Sequence, residues 1–125
     1  MLLTLSACST PLRHTVNPDA VAYPAAEVTH LIQSTAAQRP LNVEVVDGYI
    51  RMIGFWGPNS IDVASLEALE LYRRRNHFAV LLYAPADRRI ARFLFREESD
   101  ARRFCDAMSA LHRQVRSAQP QAEPS

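Results

Sequence analysis

Apolar and polar residues first fall into a regular order near Tyr23. Pro24 suits a first helical turn, and Val28, Leu31, Ile32 and Thr35 recur at i, i+3, i+4 and i+7, so a helix is predicted over 24–38, stopped by Gln38-Arg39-Pro40. The period then changes from helical to twofold. Val43 and Val45 alternate with polar neighbours, Asp47-Gly48 is a two-residue hairpin signal, and the run from Tyr49 to Trp56 alternates back. Gly57-Pro58-Asn59-Ser60 breaks this hairpin.

Short strand-like pieces follow at Ile61-Val63 and about Leu66-Arg73. The second piece, within "SLEALELYRRR", also has helical spacing at Leu66, Leu69 and Arg73; the strands on either side favour β. A second hairpin is predicted from "HFAVLLY" at 77–83, a turn at Pro85-Ala86-Asp87-Arg88, and a return strand from Ile90 to Phe95. The last element is the clearest. From Glu97 to about Val115, Ala101, Phe104, Cys105, Met108 and Leu111 trace one apolar stripe. Glu97, Glu98 and Asp100 stand in its first turn and His112, Arg113 and Arg116 at its end, as the helix dipole favours. The fold class is therefore α+β, an antiparallel bent sheet or partly open barrel closed by a C-terminal amphipathic helix, with an extra helix before it.

Outside these elements the pattern lapses. "STPLRHTVNPD" at 9–19 is polar, holds two prolines and has no apolar period, and "SAQPQAEPS" at 117–125 has nothing to bury. The expected organisation is a signal remnant at 1–7, a tether at 8–22, one α+β domain at 23–116 and a disordered tail at 117–125.

Composition narrows the function classes. The chain has 125 residues, 48% of them apolar and 22% charged, as a packed domain requires. Fourteen basic against thirteen acidic residues leave no overall attraction to nucleic acid or to acidic membranes, so any such binding needs a local patch. Every basic residue is arginine. His14, His30, His77 and His112 are isolated from one another and from other ligands at helical metal spacing, so neither metal nor cofactor is expected. No Gly-x-Gly-x-x-Gly run, Walker loop or Gly-x-Ser-x-Gly elbow occurs, Ser65 and Ser109 have no base near them in sequence, and an enzyme is not expected.

The start of the chain says more about location. In "MLLTLSAC", Leu5-Ser6-Ala7-Cys8 follows a short apolar run and resembles the bacterial lipobox. In that family the cysteine receives a diacylglyceryl group and becomes the first residue after cleavage. The resemblance implies a signal peptide, lipidation at Cys8 and a lipid anchor in the cell envelope. No basic residue precedes the apolar run, which points to a start codon further upstream or to a trimmed chain. In enterobacterial lipoproteins the next residue helps sort between membranes, and Ser9 resembles the outer-membrane choice, facing the periplasm. With Cys8 acylated, Cys105 has no disulfide partner in the chain and is expected to be buried.

Strands followed by one amphipathic helix, in "ALELYRRRNHFAVLLYAPADRRIARFLFREESDARRFCDAMSALH", resemble the pleckstrin-homology-like superfold over residues 42–115. Six strands are read here against the seven of that superfold. The resemblance implies a binding module. Its phosphoinositide readers gather basic residues at the first hairpin loop, and Asp47-Gly48 carries none, so that subfunction is not implied.

Binding candidates come from the residues themselves. Arg73, Arg74, Arg75 and His77 form the strongest local charge feature. They read either as a solvated turn or as a contact for an anion or acidic partner, joined by Arg88 and Arg89 if neighbouring turns lie close. Trp56, at a strand end, suits either core or contact surface. The expected function is a noncatalytic envelope lipoprotein that binds a protein partner or assembles near the membrane. The alternative is a periplasm-facing carrier or sensor of a lipid or cell-wall ligand between sheet and helix. Phe93, Phe95, Phe104 and Met108 decide between them: a carrier needs an apolar cavity where these side chains lie, and a scaffold needs that space filled.

Overall fold

Two antiparallel sheets and two helices build the protein in a computed structural model, which describes residues 9–35, 39–54 and 60–119. The order is β1 (Ser9–Leu12), α1 (Pro24–Gln33), β2 (Asn42–Val46), β3 (Tyr49–Ile53), β4 (Ser60–Asp62), β5 (Ala68–Arg74), β6 (Phe78–Ala84), β7 (Arg88–Phe95) and α2 (Glu98–Ala118). Short 3-10 turns lie at Pro18–Ala20 and Val63–Ser65. The larger sheet has the strand order β1-β5-β6-β7 and the smaller β2-β3-β4. The fold is α+β with a C-terminal helix, and neither sheet closes into a barrel. Where a bent sheet or partly open barrel was expected, the chain leaves one sheet after β4 and enters the other at β5. Between them Asp62 accepts the Ala64 N–H at 3.2 Å and turns the backbone out of strand geometry.

Local chemistry accounts for the hairpins. Asp47 and Gly48 both take positive φ, 53° and 80°, as a tight turn between right-twisted strands requires, and Val46 pairs with Tyr49. Ala86 and Asp87, at φ 66° and 56°, do the same between β6 and β7, where the register shifts between Leu82 and Tyr83. β5 is a strand, and its helical spacing has no structural counterpart. Leu71, Val80 and Phe93 instead stand in one cross-strand row facing inward.

Two segments differ from their sequence reading at the ends. Helix α1 stops at Gln33, short of 38, where the Ser34 and Thr35 hydroxyls donate to the His30 and Ile32 carbonyls and end the helix; residues 36–38 lie outside the described residues. The stretch read as a tether is ordered. Ser9–Leu12 forms the edge strand β1 on β5, a position that tolerates Pro11, and the chain beyond it lies along α2. Its lack of an apolar period reflects an edge strand held largely by backbone pairing. At the other end α2 runs three residues past the expected Val115, to Ala118.

The core is one cluster shared by all these layers. Val28, Leu31 and Ile32 from α1, Val43, Ile50, Met52 and Ile61 from the smaller sheet, and Leu71, Val80, Leu82, Phe93 and Phe95 from the larger meet the buried stripe of α2. Phe104 lies at its centre, 5.1 Å from the ring centroids of both Phe93 and Phe95. Each such ring contributes roughly 1.5–3 kcal/mol by leaving water.

Candidate functional site

Strand alternation splits the arginine triplet. Leu71 points inward, so Arg73, two residues on, takes the same side, and its guanidinium lies 3.9 Å from Glu98 at the start of α2. Arg74 takes the opposite, outward face. Its N–H donates to the His77 carbonyl at 2.7 Å and closes the β5–β6 turn that carries Arg75. Phe78 pairs with Phe95, which sets Arg96 beside His77 in the next row. Arg74, His77 and Arg96 therefore share one end of the outward face.

The rows behind them follow from the register. Tyr72 faces Ala79 and Leu94; Glu70 faces Leu81 and Arg92; Ala68 faces Tyr83, which faces Arg89. Tyr72 donates its hydroxyl to Glu70 Oε1 at 2.9 Å, and that bond is the main reason its pKa is raised. Tyr83 is raised first by partial burial and then by the same carboxylate. Glu70 thus acts on both tyrosines of this face, and Asp87 in the β6–β7 turn adds a weaker effect on Tyr83. The His77 pKa is lowered, first by partial burial and then by the charges of Arg74 and Arg92. Among the described residues, Arg74, Arg75, Arg92 and Arg96 enter no ion pair. The face thus has a tyrosine and leucine centre with free guanidiniums around it.

Arg88 and Arg89 do not join the triplet. They open β7 opposite Ala84 and Tyr83, at the far end of β6, so the two groups stand roughly 20 Å apart at strand rise. Arg92 and Arg96 take their place beside His77. Neither is adjacent to the triplet in sequence, and only the β6–β7 register brings them there. Trp56 and Cys8 lie outside the described residues. Leu41, just before β2, is 83% exposed, and Ile53 in β3 is 60% exposed.

A second polar cluster fastens the N-terminal segment to α2. Asp106 accepts from the Asn17 N–H at 2.8 Å and lies 2.8 Å from His14 Nε2; Arg102 donates to the Arg13 carbonyl at 2.8 Å and lies 3.1 Å from His14 Nδ1. Arg102 has no acceptor, so Nδ1 accepts from it and Nε2 carries the proton toward Asp106. Arg113 reaches Asp19 at 2.7 Å, and Arg103 pairs with Glu27 of α1.

Open depressions flank α2. One of about 340 Å³ is lined by Tyr23, Glu27, Arg103 and Asp106, and another of about 400 Å³ by His14, Leu66, Ser109 and His112. A smaller one of about 180 Å³ reaches Cys105, and a shallow one of about 870 Å³ runs past His112 and Arg116. None of these four is lined by Phe93, Phe95, Phe104 or Met108, which are at most 1% exposed.

Burial shapes the titratable groups in these depressions. Ser109 and His112 share a groove but no hydrogen bond joins them, and burial together with Arg116 lowers the His112 pKa. Burial pushes the Cys105 thiol up to about 12, which leaves no nucleophilic thiolate at neutral pH. Among the described residues, no three His, Cys, Asp or Glu side chains meet as a metal site, and no helix is long and apolar enough to cross a membrane. Comparison with protein-family models, curated proteins and solved structures finds no match for the chain.

Proposed function

We propose that this chain is a noncatalytic lipoprotein of the bacterial cell envelope, held by acylated Cys8 at the periplasmic side of the outer membrane, whose folded part binds a protein partner. The observation that carries the binding role is the outward face of the larger sheet. Tyr72, Leu81, Tyr83 and Leu94 occupy its centre, and Arg74, Arg92 and Arg96 surround them without ion-pair partners among the described residues. Tyrosine and arginine are enriched where protein contacts concentrate their energy.

A binding module of the pleckstrin-homology-like kind is the fold we assign. Its support is the pair of antiparallel sheets of four and three strands with a C-terminal helix packed on them. With β1, which precedes α1 and lies outside residues 42–115, the described strands number seven, the count of that superfold. The packed Phe93, Phe95, Phe104 and Met108 favour a scaffold over a carrier, because Phe104 packs against both other rings and none of the four side chains lines the depressions described above.

Two measurements test this. Mass spectrometry of the mature N-terminus from cells is expected to find Cys8 first and acylated; an unmodified Cys8 defeats the lipoprotein assignment. A photo-crosslinking residue at Leu81 is expected to capture a protein in the envelope, and one at exposed Gln114 is not. Recovery of lipid alone at Leu81 moves the carrier to first place.

A further inference from the structure

The pairing of β1 fixes where Ser9, the residue bonded to Cys8, lies on the folded body. Ser9 stands directly opposite Arg74, and Thr10 opposite Arg73. Antiparallel partners have Cα atoms roughly 4.5–5.5 Å apart. Cys8 is one peptide bond before Ser9, a Cα step of about 3.8 Å. Were residues 9–22 a free tether, the body would wander roughly 20 Å from its anchor. With Ser9 paired in β1, that slack is absent from residue 9 onward, and the residue bonded to Cys8 stands at the end of the sheet that carries Arg74, Arg75, His77 and Arg96.

We infer that this end of the larger sheet rests on the lipid surface, with the Arg74, Arg75 and Arg96 guanidiniums bound to the phosphates of anionic phospholipids in the anchoring leaflet. The inference rests on the lipoprotein reading and adds an orientation and a ligand to it.

Charge supports the assignment. At this end the chain brings together Arg73, Arg74, Arg75, Arg96 and Arg102 against Glu97, Glu98 and Asp100 at the start of α2. Glu98 is already engaged, 2.8 Å from Arg102 and 3.9 Å from Arg73. Arg74, Arg75 and Arg96 are left without carboxylates among the described residues. A guanidinium fork matches a phosphate with two parallel hydrogen bonds. Near an anionic leaflet each arginine is worth about 1 kcal/mol, or about fivefold in occupancy. That is too little to recruit the protein from solution strongly. It is enough to orient a body that its anchor already holds at the surface, where the contact is intramolecular.

Orientation has a consequence for the proposed binding face. Arg74, His77 and Arg96 form the row at the membrane, and the rows of Tyr72, Leu81 and Tyr83 rise away from it along the strands. The lipid therefore occupies the end of the sheet and leaves its centre open to a partner.

The full chain, coupled through Cys8 to a maleimide-bearing lipid, tests this directly; the buried Cys105 thiol does not compete for the reagent. Trypsin cleavage after Arg75 is compared with cleavage after Arg88, at the far end of β6, on vesicles of phosphatidylcholine alone and of phosphatidylcholine with phosphatidylglycerol. The expected result is cleavage after Arg75 slowed about tenfold or more on the anionic vesicles, unchanged cleavage after Arg88, and reversal by added salt. Arg74→Gln with Arg96→Gln, both at solvent-accessible positions and each verified by an unchanged melting curve, is expected to abolish the protection. Equal cleavage on both vesicles overturns the inference, as does equal protection of Arg88. Protection of Arg75 by soluble polyglutamate but not by anionic vesicles also overturns it, in favour of an acidic protein. Because the coupling is chemical, these outcomes are independent of whether cells acylate Cys8, which the mature N-terminus reports separately.

Discussion

His14 Nε2 lies 2.8 Å from Asp106 Oδ1, joining residues 92 positions apart, and the same carboxylate oxygen accepts the Asn17 N–H. One side chain on α2 thus holds the segment that carries the chain from β1 to α1. Asp106→Ala removes the acceptor from both groups and is expected to cost about 1–3 kcal/mol in urea unfolding. Asp106→Asn keeps one acceptor and costs less. Trypsin cleavage after Arg13 should accelerate in the alanine variant before global unfolding, because the loss is local.

Phe104 is fully buried between Phe93 and Phe95. Phe104→Ala is expected to destabilise by about 3–5 kcal/mol, and Phe104→Leu by less, since leucine refills part of the space. Chemical denaturation measures both. A cost for the alanine variant below about 1 kcal/mol would show that no packed core exists there.

Stability should fall on mild acidification. His77 and His112 both have pKa values held below the ordinary 6.5, each chiefly by burial and then by neighbouring arginines. Below pH 6.5 the unfolded chain takes up protons that the folded chain resists, so stability is complete above that value and declines as pH falls toward the folded pKa values. Urea midpoints at pH 8 and pH 5.5 measure the difference, and His112→Gln is expected to reduce it.

Cys105 should be silent to thiol reagents. Its burial and a pKa near 12 predict no modification by iodoacetamide in the native Cys8→Ser chain and complete modification in urea. Native modification at the unfolded rate would contradict the packing of α2 against the sheet.

Much of the architecture was legible locally. The stripe of α2 and the Asp47-Gly48 turn depend on residues a few positions apart, and both stand where their patterns place them. β5 was ambiguous because leucines at its spacing satisfy both periods, and pairing with β6 and β1 decides the matter. β1 was illegible: Ser9-Thr10-Pro11-Leu12 has no pattern of its own and becomes a strand only because β5 offers an open edge. The candidate site divides in the same way. The Arg73-Arg74-Arg75 run was visible, and twofold alternation explains why Arg73 turns to Glu98 and Arg74 outward. Arg92 and Arg96 were invisible as members, since their approach to His77 depends on the register between β6 and β7.

The clasp between the beginning of the chain and α2 also bears on the order in which the molecule assembles. During synthesis β1 leaves the ribosome before β5, on which it docks and which follows more than fifty residues later, and Asp106 emerges after both. Contacts spanning so much sequence form slowly. A growing chain therefore leaves β1 without its neighbouring strand until β5 has been made, and without its clasp on α2 until Asp106 follows.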